Sequence, residues 1–228
     1  MSELIVKDKD IVIPGQLLAT GMDYLPASGT FRDADKIVSN LIGIASINGR
    51  LIKIIPLTGP YVPRRDDVVI GKVVDIGFSG WRIDIGWAYE ANLSVKDAVQ
   101  EFVERGSDLT QFYNYGDYVM SRITNVAGSK IIDLGMRGPG LRKLTDGRII
   151  KIIPAKVPRL IGKQGSMITM IKENTNSKIL VGQNGLVWLS GVTPEDELKA
   201  IEAIKIIDEQ SQSDGLTEKI EKFLKGEK

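Results

Sequence analysis

Residues 160–171 read LIGKQGSMITMI: two glycines three apart, Gly162 and Gly165, interrupt an apolar run. Glycine inside a helix costs about 1 kcal/mol relative to alanine, so the run does not suit one continuous helix. It suits two short helices joined by a tight turn, anchored by LI on one side and MI on the other. Without Cβ atoms the turn lets another backbone come close. Amides at the start of the second helix then point outward, a site for an anion. Lys163 adds a mobile positive charge and Gln164 adds donors and an acceptor. A sugar–phosphate chain is the ligand such a turn accommodates.

The surrounding pattern places the turn. GRIIKIIPAKV reads as a strand, and PRLIG as a short helix with Pro158 in its first turn. SMITMIKENTN reads as a second helix, with Ser166 as N-cap and Met167, Met170 and Ile171 on one face. SKILVGQNGLVWLSG is a hairpin turning at Asn184-Gly185. TPEDELKAIEAIKIIDEQ is a long helix, capped by Thr193 with Asp196 completing the signature. Ala200, Ile204 and Ile207 line its apolar stripe. From Ser211 onward the chain reads as a polar, frayed tail. The order β-α-α-β-β-α with IGKQGSMI resembles the KH domain, whose G-x-x-G loop clamps about four nucleotides of single-stranded RNA. The resemblance implies RNA contacts from Gly162, Lys163, Gln164 and Gly165, with Arg159 beside them.

Composition narrows the chemistry. The 228 residues contain no cysteine and no histidine. This excludes disulfides, thiolate or imidazole metal sites, and Ser–His or Cys–His nucleophilic catalysis. Carboxylate or lysine chemistry, or a carboxylate-held magnesium, remains. The P-loop pattern is absent, because IGKQGS has neither the five-residue lead-in nor a Ser/Thr directly after lysine. Asp66-Asp67 abuts Arg64-Arg65 and reads as a strand entry. The expectation is therefore no catalytic residue, no metal and no cofactor. No apolar run is long enough for a membrane span, so a cytoplasmic protein is expected. Net charge is only +1, yet residues 142–163 hold seven basic residues (Arg142, Lys143, Arg148, Lys151, Lys156, Arg159, Lys163) against one acid, Asp146. Such asymmetry points to an anionic partner.

Strand signals dominate the first 145 residues. IASINGRLIKIIPL is a hairpin with Asn48-Gly49 between two apolar runs, and GPYVPRR looks like a linker. After it, VVIGKVVDIG, GWRIDIGWAYEANL, DYVMSRITNV and KIIDLGM read as strands, with SVKDAVQEFVERG as one inserted helix. Strands of this length with a helix after the third predict a small closed barrel of the OB type. GKVVDIGFSGWRIDIG and YGDYVMSRITNV resemble the S1 type of that fold. In S1 domains two aromatics three apart mark the first corner; here they are Phe78 and Trp81. Exposed rings there stack on bases, at about 1–3 kcal/mol each. Asn92 stands where many S1 domains have histidine. Lys72 and Arg122 are the expected phosphate contacts, and Trp87 and Trp188 are read as packing.

The expected fold class is mainly β with α+β, in three small domains. These are an N-terminal β-domain (1–62), an S1-type OB-fold barrel (63–145) and a KH domain (146–212), followed by a polar tail (213–228). The whole chain resembles the S1–KH RNA-binding cap subunit of the archaeal exosome, most specifically in the PGQ turn and in GMRGPGLRKLTDGRIIKIIPAKVPRLIGKQGSMI. The resemblance implies a non-catalytic protein whose N-terminal domain docks on a hexameric ring of RNase-PH-like subunits. It implies a trimeric cap, built from copies of itself or with a related S1 subunit. It further implies capture of single-stranded RNA for 3′-to-5′ degradation, with a preference for adenine-rich tails. The alternative is an S1/KH transcription or translation factor binding nascent transcript or rRNA.

Overall fold

A computed structural model describes residues 2–104, 106–211, 213 and 215–226. Position 105 of the expected inserted helix, 212 at the expected end of the KH domain, and 214, 227 and 228 of the expected tail lie outside the described residues. The chain divides into two compact units, Met1–Gly59 and Pro60–Lys228.

The first unit is all β. Strands β1 (Glu3–Leu4), β3 (Leu17–Thr20), β6 (Lys36–Ser39) and β5 (Thr30–Asp33) pair in that order. A second sheet orders β2 (Ile11–Val12), β7 (Gly43–Asn48), β8 (Leu51–Pro56) and β4 (Leu25–Pro26). Strand alternation sends Val12, Leu18, Ile37, Ala45, Ile52 and Ile54 into the core. The hairpin read from the sequence is β7–β8, with Gly49 at positive φ in its turn.

The second unit holds the barrel and the KH fold. The barrel runs β9 (Val68–Ile76), β10 (Gly80–Asp84), β11 (Ala91–Ser94), β12 (Tyr118–Val126) and β13 (Ile132–Gly135), closed by pairing of β12 with β13. A short strand β14 (Arg142–Leu144) adds to the outside of β12. The segment read as a linker belongs to this body. Tyr61 is buried in the barrel core and its hydroxyl donates to Asp67 Oδ2 at 2.6 Å. Burial, followed by the Asp67 hydrogen bond and charge, pushes the Tyr61 phenol well up.

The inserted helix is shorter than its sequence pattern. Only α1 (Val95–Ala98) forms, with the Ser94 side chain accepting from the Asp97 amide at its start. Its carbonyls are used elsewhere: Asp97 accepts from the Met136 amide at 2.9 Å and Lys96 from Arg137 Nη2 at 2.6 Å. With those acceptors engaged by the chain leaving β13, the helix stops and Phe102 is left exposed.

The KH fold follows as β15 (Arg148–Lys151), α2 (Val157–Ile161), α3 (Ser166–Thr175), β16 (Lys178–Val181), β17 (Leu186–Ser190) and α4 (Pro194–Glu209). Its sheet is antiparallel in the order β15-β17-β16. The capping box on α4 forms as the sequence requires, with the Asp196 amide donating to Thr193 Oγ1 and the Thr193 amide to Asp196 Oδ2. The polar tail needs correction. Residues Leu216–Lys225 form a further helix, α5, which buries Leu216, Ile220 and Leu224 in the same core as α3 and α4. These three apolar positions share one face at spacings of four.

One face of the KH sheet carries the helices. The other meets the barrel, where Trp188 packs in one cluster with Ile70 and Leu144, flanked by Tyr118, Met120 and Leu180. Asn184, at the tip of the β16–β17 turn, is buried at this junction. It accepts from the Ile70 amide (3.2 Å) and donates to the carbonyls of Ile70 (2.7 Å) and Ile85 (2.9 Å). The Gln183 amide donates to the Val68 carbonyl at 2.8 Å.

Candidate nucleic-acid interface

The glycine turn joins α2 to α3, as its spacing demands. Gly162 ends α2 at φ 75°, ψ 176°, a conformation open to glycine almost alone. A Cβ there would lie 2.7 Å from Met167 Cβ and 2.8 Å from the Met167 amide nitrogen. Gln164 (φ 53°, ψ 27°) and Gly165 (φ 82°, ψ 8°) are both left-handed. Gly165 differs from Gly162 in facing open space, with nothing within 4 Å of a Cβ. Lys163 and Gln164 are exposed between them.

Ser166 is not the cap expected of it. It already has helical dihedrals, and Gly165 occupies the N-cap with no side-chain hydrogen bond. A glycine cap supplies no side-chain acceptor to the first amides of α3, of which that of Ser166 already donates to the Lys163 carbonyl. They sit directly behind the exposed Lys163-Gln164 tip.

The basic run divides into two groups. Lys156 is tied to Asp208 through both the carboxylate and the main-chain carbonyl. Arg148 pairs with Glu197 at 2.7 Å, and Lys143 pairs with Asp117. Burial tends to raise the Asp117 carboxyl, but hydrogen bonds from Lys143 and the Asn114 amide, with the Lys143 charge, hold it below the usual range. Arg142, Lys151, Arg159 and Lys163 have no acidic partner among the described residues. Arg159 is exposed on α2, three residues before the turn.

On the barrel the two expected aromatics part company. Phe78 stands 78% exposed at the β9–β10 corner. Trp81 is 2% exposed. Its indole N–H donates to the Tyr113 carbonyl at 2.9 Å, and the two rings meet edge to face with centroids 5.0 Å apart. Trp81 is barrel core and cannot stack on a base; strand parity on β10 sends residues 81 and 83 inward.

Arg122 lies apart from Phe78. It pairs in register with Val68, at the other end of β9 from Phe78, about 26 Å of strand away. It is half-buried, its Nε is enclosed without a hydrogen-bond partner, and it shares the strand face of Met120, which packs at the barrel–KH junction. Lys72 is exposed in the middle of β9, opposite Tyr118 and Asp84.

Asn92 is exposed and belongs to a row the sequence reading missed. Asp75, Arg82, Asn92, Asp133 and Asn125 lie in register across β9, β10, β11, β13 and β12. Arg82 bridges Asp75 (2.9 Å) and Glu90 (3.3 Å), and Asn125 Nδ2 donates to Asp133 Oδ2 at 3.0 Å. Outward parity within each strand could have found the individual residues; their alignment depends on barrel closure. Among the described residues no group of three or more acidic side chains is placed to hold a metal ion.

This arrangement has close relatives. Residues 9–58 match the family described as the exosome RNA binding protein RRP4 N-terminal domain, and residues 147–206 match the KH domain family. The exosome complex component Rrp4 of Thermococcus kodakarensis is 44% identical over 98% of this chain and 88% of its own length. That of Methanothermus fervidus is 42% identical over 97% of both chains. The chain belongs to the Rrp4 family of exosome components. A crystallised exosome complex RNA-binding protein is 37% identical and superposes with a TM-score of 0.68, over 74% of this chain and 97% of the other. Membership fixes the fold as an N-terminal β-domain, an OB-like barrel and a KH domain. Among the described residues no helix is long and apolar enough to cross a membrane.

Proposed function

We propose that this chain is the non-catalytic RNA-capturing subunit of a cytoplasmic exosome. It holds single-stranded RNA and passes it to an RNase-PH-like hexameric ring for 3′-to-5′ degradation, favouring adenine-rich tails. The observation that carries the reading is the open G-x-x-G turn. Gly165 faces empty space, Lys163 and Gln164 project from the surface, and the α3 amides behind them lack a side-chain cap. A phosphate backbone laid across this turn meets main-chain donors and a lysine without a steric barrier. Phe78 offers a stacking face on the barrel, and the Asn92 row offers amide and guanidinium groups suited to base edges.

The N-terminal unit supports a docking role. Ile11, Ile44 and Ile55 align across β2, β7 and β8 on the outer face of the second sheet, and Ile11 is 69% exposed. Ile13, Met22 and Leu25 are exposed as well. So much apolar surface on a small unit fits a permanent protein contact, here the ring. Three copies, or copies mixed with a related S1 subunit, complete the cap.

The test combines this chain with the purified ring and follows decay of 5′-labelled RNA. Faster decay of RNA bearing an oligo(A) tail, with a stable complex on size exclusion, is the expected result. Failure to associate with the ring, together with binding to ribosomes or RNA polymerase, would overturn it.

A further inference from the structure

Where the barrel meets the KH sheet, the apolar contact ends before the sheet does. Beyond Trp188 the same sheet face continues as Lys178 and Ser190, which are paired in register. Opposite them runs β14 with the turn that follows it. Between lies a cleft of about 340 Å³ that opens to solvent. Arg142, Lys143 and Lys178 are in its lining, and Asp146 is the one acid there. Lys143 is neutralised by Asp117, whereas Arg142 and Lys178 are exposed and have no ion-pair partner among the described residues.

Trp188 forms part of the cleft wall and is only 6% exposed. Gly147 passes so close that a Cβ there would sit 2.3 Å from Trp188 Nε1. Two exposed cations without an acidic partner, together with the Ser190 hydroxyl in the same lining, suit an anion.

We infer that this cleft is a second RNA-backbone site, in which Arg142 and Lys178 contact phosphodiesters of a single strand that also engages the G-x-x-G turn. The inference rests on the RNA-capture reading and extends it. The turn and the cleft lie on different sides of the KH fold, since the turn joins helices on one sheet face and the cleft borders the opposite face. A strand must therefore be longer than the four or so nucleotides of a G-x-x-G clamp to reach both.

The experiment measures affinity against salt by fluorescence anisotropy on the full chain, using a 4-nucleotide and a 20-nucleotide oligo(A). The Arg142→Gln/Lys178→Gln double variant is compared with wild type after matched thermal melts. The expected result is a slope of log K against log[salt] that is shallower by about 1.4 for the 20-mer, at about 0.7 per contacted phosphate. The slope for the 4-mer stays as in wild type. An unchanged 20-mer slope, with wild type still binding RNA, overturns the cleft and leaves the capture reading intact. Equal loss on both oligonucleotides also overturns it, since a diffuse field rather than contact would be acting. If wild type binds neither oligonucleotide, the capture reading itself fails. If inorganic phosphate at fixed ionic strength removes the 20-mer's extra slope in wild type but leaves 4-mer binding unchanged, a free-anion site replaces the backbone site.

Discussion

Replacing Asn184 with alanine tests how the barrel and the KH fold are held as one body. The side chain is 4% exposed and makes three hydrogen bonds, all to barrel main chain: the Ile70 amide, the Ile70 carbonyl and the Ile85 carbonyl. It uses its oxygen once and its NH2 twice, which leaves little of its bonding capacity idle. Alanine leaves those three barrel groups without their partner. Each buried group left unpaired costs about 1–3 kcal/mol. Water entering the space lowers that cost, so the loss is placed near the lower end, at about 3–4 kcal/mol in all. For a unit of this size each kcal/mol shifts the melting temperature by about 2–4 °C, which gives a fall of roughly 6–16 °C. Asn184→Asp should be no milder, because a carboxylate oxygen then faces two carbonyls. The assay is calorimetry with amide hydrogen exchange. Exchange at Ile70 should accelerate far more than at Val69, which lies on the same strand but whose side chain is in the barrel core. A shift under about 2 °C for both variants, with Ile70 exchange unchanged, would refute the reasoning and make the junction a contact of shape alone.

Gly165→Asp should fold with a penalty of about 1–2 kcal/mol for its left-handed backbone, yet weaken RNA binding roughly tenfold, since a carboxylate about 4 Å from a phosphate meets about 1–4 kcal/mol of repulsion; unchanged anisotropy would count against the turn as a clamp. Gly162→Asp is a poor probe, because its Cβ collides with Met167; a marked drop in melting temperature is expected before any effect on RNA can be read. Phe78→Ala should change stability by less than about 0.5 kcal/mol while lowering affinity, whereas Trp81→Ala should cost about 3–5 kcal/mol; equal melting curves would contradict the inside–outside assignment. Asp117, held below the usual carboxylate range, stabilises the fold above its unfolded value, and that contribution fades as pH drops below about 4. Asp117→Asn should therefore flatten the acid limb of a melting-temperature profile while leaving its slope above pH 6 unaltered.

Several features were legible in short windows of sequence. The glycine turn, the Thr193–Asp196 capping box and the Asn-Gly turns each depend on backbone preferences within a few residues, and each formed where the pattern put it. The β-α-α-β-β-α order of the KH fold followed for the same reason. Other features needed the closed structure. Phe78 and Trp81 are three residues apart and similar in chemistry, but barrel closure turned one outward and the other into the core. Arg122 and Phe78 were both read as RNA contacts, and only pairing with Val68 shows that they stand at opposite ends of β9. Residues 216–225 carry only three deeply buried apolar side chains among charges, so they read as tail; the surface of α3 and α4 makes them a helix. Asn184 reads as a turn residue, and only the barrel's unpaired Ile70 and Ile85 groups make it a clasp. Local dihedral preference is encoded residue by residue, whereas burial and hydrogen-bond partnership belong to pairs far apart in the chain, and these exist only once the sheets have closed.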